Sequence, residues 1–242
     1  MSVDKIILWV MAAFALLGAA DRIFGSRLGL GKQFEEGIVA IGALSLSMLG
    51  ILTLALVLAR LLKPVLVPIY GFLGADPAMF AGSVLANDMG GAPLAMELAQ
   101  SREAGQFGGL IVGAMLGATI VFTIPVALGI LRAEDRPALA KGVLAGVITI
   151  PFGAFLGGLT ASFPVGMLVR NLVPIVLFAL LIALGLWQLE GAMVKGFLWF
   201  GRFVVAVITI GLAAAVFTEL TDVVLIPGMA PLSEGVEVVA GI

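Results

Sequence analysis

The sequence predicts an all-α fold, a polytopic transmembrane helical bundle, and three observations support this class. Hydrophobic residues make up 62% of the 242 residues and charged residues only 12%, about half the charged share of a soluble domain. Apolar runs of roughly 20 residues recur, the length of helix that crosses a hydrocarbon core. Runs such as IVGAMLGATIVFTIPVALGIL are apolar at every position, whereas strands of a membrane barrel alternate in polarity.

Apolar runs bounded by charges, Pro or Gly predict about seven membrane elements. Their ranges are 6–20, 38–62, 65–100, 107–131, 138–161, 172–189 and 197–217. The first run is interpreted as a span and not as a cleaved signal peptide, because Lys5 is balanced by Asp4 and further spans follow. The third element, 65–100, is interrupted by helix-breaking residues, so we expect it to be discontinuous, either broken or re-entrant.

The composition excludes several functional classes. The chain has no Cys and no His, which removes thiolate chemistry, His-based metal sites and Ser-His-Asp hydrolysis. Its net charge of −2 with dispersed basic residues argues against a nucleic-acid partner. An intramembrane aspartyl protease needs two facing carboxylates, and Asp88 has no such partner in another predicted span. We therefore expect neither an enzyme nor a cofactor.

A short internal similarity suggests a repeat. EGIVAIGAL at 36–44 resembles EGVEVVAGI at 234–242, and repeated halves are common in transporters. We therefore predict one transmembrane repeat over 1–232 and the truncated start of a second over 233–242. A second copy of equal length would give a whole protein of about 400 residues, the first half of which is present here.

Glycines recur at the spacing that allows close helix packing. Gly109, Gly113 and Gly117 follow each other at intervals of four, and small residues at this spacing let membrane helices approach closely. Packing within the bundle is the favoured interpretation. Packing of the chain with itself or with a missing C-terminal half remains the alternative.

The third element carries the signals of a split helix. Asp76-Pro77 can begin a helix, because Asp caps free backbone N–H groups and Pro suits the first turn. Such a helix would run to about Ala86, or about 15 Å, half the hydrocarbon thickness. NDMGG at 87–91 then interrupts it, and Pro93 marks the first turn of a second half-helix.

This break is the predicted substrate site. Unwound backbone at membrane depth is tolerated where protein, water or ligand satisfies it, and helix carbonyl ends with Asp88 would attract a small cation. Asn87 could bond a hydroxyl beside the positive group. Gly90 and Gly91 complete the unwound step. The alternative is an ordinary turn outside the membrane, where Asn, Asp and Gly are common.

Other polar residues complete the predicted site. Glu36 precedes the second span, where a carboxylate also favours the helix N-terminus on electrostatic grounds alone. Glu97 lies on the broken element itself. Thr119, Thr123 and Thr149 stand near Pro125 and Pro151, where hydroxyls can bond backbone groups freed by proline. A packing kink is the alternative to a pore-lining role for these threonines.

The chain closely resembles the ethanolamine-utilisation transporter family, EutH. The resemblance rests on QFEEGIVAIGALSLSMLG, MFAGSVLANDMGGAPLAMELA, TIVFTIPVALGI, KGVLAGVITIPFGAFLGGL and FVVAVITIGLAAAV, which follow in order along nearly the whole chain. Two positions depart from the family pattern, which more often has Cys where this chain has Asn87. It also often has Lys before the Glu of the second half-helix, where this chain has Met96.

The resemblance implies a transporter or facilitator that imports ethanolamine across the bacterial cytoplasmic (inner) membrane. At neutral pH this partner is a primary ammonium with a hydroxyl group, which needs hydrogen-bond acceptors such as Asp88. Membrane lipids are the other expected partner. The alternative is a membrane scaffold or assembly half that transports nothing without a second repeat.

Overall fold

The computed structural model describes residues 3–229 and 231–233, which are helical with no strand among them. Two compact units divide the chain, Met1–Ser45 and Leu46–Ile242. The helices are α1 Val3–Ile23, α2 Leu30–Phe72, α3 Ala78–Val84, α4 Ala92–Leu98, α5 Arg102–Ile130, α6 Arg136–Thr160 and α7 Val165–Thr221. The predicted all-α class is confirmed.

Four helices among the described residues are long and apolar enough to cross a membrane. They are α1 from Lys5, together with α5, α6 and α7. Large apolar side chains such as Trp9, Phe152 and Leu181 are mostly exposed on them, as expected where lipid replaces water around the helices. The chain is therefore a multi-pass membrane protein.

In the N-terminal unit, Asp21 closes the turn between α1 and α2. Its two carboxylate oxygens accept hydrogen bonds from the backbone N–H groups of Leu28, at 2.9 Å, and Gly31, at 2.8 Å. Gly31 leaves no room for a side chain, because a Cβ there would lie 2.6 Å from the backbone nitrogen of Arg22. The turn is thus fixed by one buried carboxylate and one close backbone approach.

In the second unit, glycines bring α2 and α7 into contact. A Cβ on Gly50 of α2 would collide with the carbonyl oxygen of Ile208 on α7. Gly211, one turn further along α7, leaves room for the side chain of Leu54 on α2. Since apolar burial gives membrane helices no net attraction, such close approach supplies the dispersion contacts that hold them together.

The 57-residue helix α7 contains a sharp bend at Leu189. Leu189 has a non-helical backbone, with φ −135° and ψ 41°, and a Cβ on Gly185 would lie 2.6 Å from the sulfur of Met193. Eight residues of straight helix would separate these positions by about 12 Å. The bend falls at the end of the predicted element 172–189, and the second half of α7 contains the predicted element 197–217.

The predicted division into repeats stays a prediction. Helices of the structure overlap each predicted membrane element, but overlap alone does not identify a repeat. Of the proposed second repeat, 233–242, residues 234–242 lie outside the described residues.

Candidate functional site

The broken element forms a hairpin whose two ends meet at Asp76. Its carboxylate accepts a hydrogen bond from Ala78 N at the start of α3, at 2.9 Å, and another from Gln100 N just after α4, at 3.0 Å. A crossing element would place these ends about 30 Å apart. The structure therefore shows that the segment 76–100 turns back on itself, and the predicted cap at Asp76 is confirmed.

The tip of the hairpin lies between α3 and α4. Leu85 and Ala86 are extended, with ψ 142° and 151°, so the first half-helix ends at Val84. Gly90 has φ 86°, a conformation that strongly favours glycine. Gly91 N then donates to Ala86 O at 2.9 Å. The predicted interruption at NDMGG and restart near Pro93 are confirmed.

The hairpin packs against Gly109, Gly113 and Gly117 of α5, which form a glycine face. A Cβ on Gly109 would lie 2.9 Å from Ala92 Cα in α4, and one on Gly113 would lie 3.2 Å from Asn87 N at the tip. A Cβ on Gly117 would collide with the carbonyl oxygen of Leu85. The three glycines of the predicted series thus pack within the bundle, as favoured from their spacing, and each receives a different part of the hairpin.

Asp88 points away from this packed face. Its side chain is exposed, whereas the neighbouring Met89 is buried at 2% relative exposure. Asp88 takes part in none of the ion pairs found among the described residues. Asn87 and Gly90 are partly buried beside it, and Gly91 is buried. The structure therefore brings these four predicted site residues together at one turn.

The two predicted glutamates, Glu97 and Glu36, are both exposed. Glu97 is exposed near the end of α4, almost two helical turns after the tip. Glu36 belongs to the N-terminal unit, where it forms an exposed ion pair with Lys32 at 3.7 Å. The place of both residues in the site stays a prediction.

The predicted threonines bond their own helices. Thr119 donates to Met115 O at 2.6 Å and Thr149 donates to Gly146 O at 2.7 Å. A proline frees the backbone carbonyl four residues before it. The acceptors of Thr119 and Thr149 are other carbonyls, so these hydroxyls do not bond the groups that Pro125 and Pro151 free. Thr119 borders an apolar cavity of about 350 Å³ between α5, α6 and α7, and Thr123 and Thr149 are exposed.

The base of the hairpin contains polar residues that the sequence analysis did not single out. Asn171 of α7 is only 3% exposed, and its Oδ1 accepts from Asp76 N at 2.7 Å. The adjacent Arg170 donates from Nε to Gly74 O. Together with Gln100 and Asp76 they border a cavity of about 460 Å³. The sequence contains one signal for this cluster, the polar pair Arg170-Asn171 at the start of an apolar run. Buried polar residues are uncommon in membrane helices, so such a pair indicates a specific polar contact.

Comparison with known proteins decides the family. The family model described as "Ethanolamine utilisation protein, EutH" matches residues 3–242. The chain belongs to the EutH family. No solved structure matches it.

EutH-family relatives from several bacteria resemble the chain over almost its whole length. A "Probable ethanolamine permease EutH" of Listeria monocytogenes is 58% identical over 100% of this chain and 65% of the relative. A protein of the same name in Escherichia coli is 46% identical over 96% of this chain and 64% of the relative. The "Uncharacterized protein YxeR" of Bacillus subtilis is 47% identical over 98% and 64%. The chain thus spans a little under two thirds of the length of these relatives, and its place is in a bacterial membrane.

Proposed function

We propose that this chain supplies part of an ethanolamine transporter and that Asp88 binds the substrate ammonium. Support comes first from the relatives in Listeria and Escherichia, whose names specify an ethanolamine permease and not an enzyme. It comes second from the hairpin, because transporters commonly build their substrate sites from discontinuous membrane helices. The exposed Asp88 at the tip of this hairpin is the observation on which the proposal depends.

The length of the first half-helix is compatible with a membrane-embedded site. Helix α3 has 7 residues, and with the two extended residues that follow it spans at most about 17 Å. With the Asp76 base at the edge of the hydrocarbon, the tip would lie near the middle of a core about 30 Å thick. A carboxylate at that depth costs roughly 2.5–3.5 kcal/mol on insertion scales, and a bound cation would offset this cost.

The chemistry of the tip suits a primary ammonium with a hydroxyl group. Asp88 supplies two anionic oxygens, and Asn87 beside it supplies both an acceptor and a donor. The last carbonyl groups of α3 face the same break, and they add partial negative charge. The ammonium donates three hydrogen bonds, so a carboxylate with nearby carbonyls meets its needs better than an aromatic cage would.

The test is uptake of labelled ethanolamine into proteoliposomes. Asp88→Asn keeps the shape of the side chain and removes its charge, so we expect uptake to fall at least tenfold while membrane insertion is unchanged. Glu103→Gln, which removes an exposed carboxylate from the first turn of α5, is the matched control and keeps full uptake. Undiminished uptake by Asp88→Asn would refute the site.

A second candidate function is an assembly half that transports nothing alone. The exposed outer side of the hairpin, which includes Asp88, Pro93 and Glu97, favours it, because further protein could cover that side. Uptake by the 242-residue chain should be compared with uptake by a EutH-family protein of full length. Activity of the longer protein alone would support this second function, and activity of both would support the first.

A further inference from the structure

We infer that Asp76 and Asn171 are positioning residues, which fix the hairpin to α7 and thereby hold Asp88 at its place in the bundle. The inference rests on the proposed function for the role of Asp88, but the attachment itself follows from contacts. Asp76 joins the two ends of the hairpin through Ala78 N and Gln100 N. Its own backbone N–H donates to Asn171 of α7 at 2.7 Å.

Burial makes this junction difficult to rearrange. Asp76 is 9% exposed and Asn171 is 3% exposed, so water offers few replacement hydrogen bonds to either group. An unsatisfied buried donor or acceptor is costly, and a charged one more so. Both carboxylate oxygens of Asp76 and the Oδ1 of Asn171 are occupied by backbone N–H groups. A shift of either half of the hairpin would therefore break hydrogen bonds of this buried junction.

Two consecutive residues of α7 hold the chain just before α3. Asn171 accepts from Asp76 N, and Arg170 donates to the carbonyl oxygen of Gly74. Displacement of the first half of α7 would therefore carry the base of the hairpin with it. The glycine face of α5 holds the tip from the other side, through Gly113 and Gly117. The position of Asp88 is thus set jointly by α5 and α7.

Gln100 offers a matched pair of variants. Only its backbone N–H bonds Asp76, so Gln100→Ala preserves the junction, whereas Gln100→Pro removes the donor. Ala99 has φ −65° and ψ 139°, a conformation that tolerates a following proline. Asn171→Ala removes the side-chain acceptor for Asp76 N.

Two measurements separate a positioning role from a merely structural one. The chain has no Cys, so Pro93→Cys, exposed in the first turn of α4, provides a single thiol near the tip for maleimide labelling in membranes. We expect Gln100→Pro and Asn171→Ala to change the labelling rate of that thiol at least fivefold. We also expect them to raise the KM for ethanolamine about tenfold with a smaller effect on kcat, while Gln100→Ala, which keeps the bond to Asp76, retains most of the affinity.

The outcomes are distinguishable from failure of the proposed function. Labelling does not require transport, so a changed labelling rate in Gln100→Pro but not in Gln100→Ala supports the junction even if Asp88 proves not to bind substrate. Inserted Gln100→Pro and Asn171→Ala proteins with unchanged labelling and unchanged KM would overturn the inference. Equal loss of insertion in Gln100→Ala and Gln100→Pro would also overturn it, because the effect would then not follow the hydrogen bonds.

Discussion

The carbonyl oxygen of Leu85 occupies the space that a side chain on Gly117 would need. This contact joins the end of the first half-helix to α5 with backbone against backbone. Because α5 follows the hairpin directly in the chain, the contact folds the two segments against each other without a long connection. The packing of the hairpin on α5 therefore depends on glycine at position 117.

Replacement of Gly117 by Ala should displace the hairpin from α5. The added methyl group overpacks a backbone contact, which we expect to cost at least about 1–3 kcal/mol. The measurement is thermal unfolding of purified protein in detergent. Gly142→Ala in α6 is the control, since a Cβ there meets nothing within 4 Å; equal losses in both variants would contradict the packing described.

Replacement of Gly90 by Ala should strain the tip of the hairpin. Gly90 has φ 86°, and an L-residue other than glycine in a left-handed conformation costs about 1–2 kcal/mol. Gly90→Asn should cost less, because Asn enters this conformation more readily. The ranking Gly, Asn, Ala in thermal stability checks the expectation, and Gly129→Ala, in open space in α5, should be neutral. An alanine variant as stable as the parent would show that the tip adopts another conformation.

Replacement of Asp21 by Ala should loosen the turn between α1 and α2. The change leaves the backbone N–H groups of Leu28 and Gly31 without their acceptor. We expect limited proteolysis to cleave between Arg22 and Lys32 several times faster than in the parent protein. Glu35→Ala removes a carboxylate from an exposed ion pair in the same unit and should leave the cleavage rate unchanged. Resistance of the Asp21 variant to cleavage would show that the glycine contact alone maintains the turn.

The ion pair between Lys141 of α6 and Glu190 of α7 should contribute little to stability. Both side chains are more than half exposed, and exposed pairs are typically worth at most about 1 kcal/mol. A double-mutant cycle with Lys141→Ala, Glu190→Ala and the combined variant, followed by thermal unfolding, measures the coupling. A coupling well above this value would mean that the pair helps to fix the bend at Leu189.

Local sequence signals predicted the broken element, whereas distant contacts determine its path. Asp76-Pro77 and Gly90-Gly91 act on their own backbone, so the start and the interruption of the element could be read from the sequence. The meeting of its two ends depends on the bond from Gln100 N to Asp76, and its attachment depends on Asn171, which lies 95 positions away from Asp76. Pairings at such distances leave no local pattern.

The candidate site was predictable only where its residues are adjacent in sequence. Asp88 and its neighbours lie within one turn, so their proximity followed from their adjacency in sequence. Glu36 and Thr149 were included on residue type and predicted membrane position, which do not determine distance. The bend at Leu189 has no Pro or Gly at the residue itself, and only the nearby Gln188, Glu190 and Gly191 indicated where the preceding apolar run should end.

The meeting of both hairpin ends at Asp76 predicts the sidedness of the loops around it. An element that returns to its starting face contributes no crossing, so we expect the loop before α3 and the loop before α5 to open to the same compartment. The next crossing, α5, then takes the loop at 131–135 to the opposite compartment. A reporter inserted near Gly74 and one inserted near Ser101 would register one environment, whereas a reporter at Glu134 would register the other.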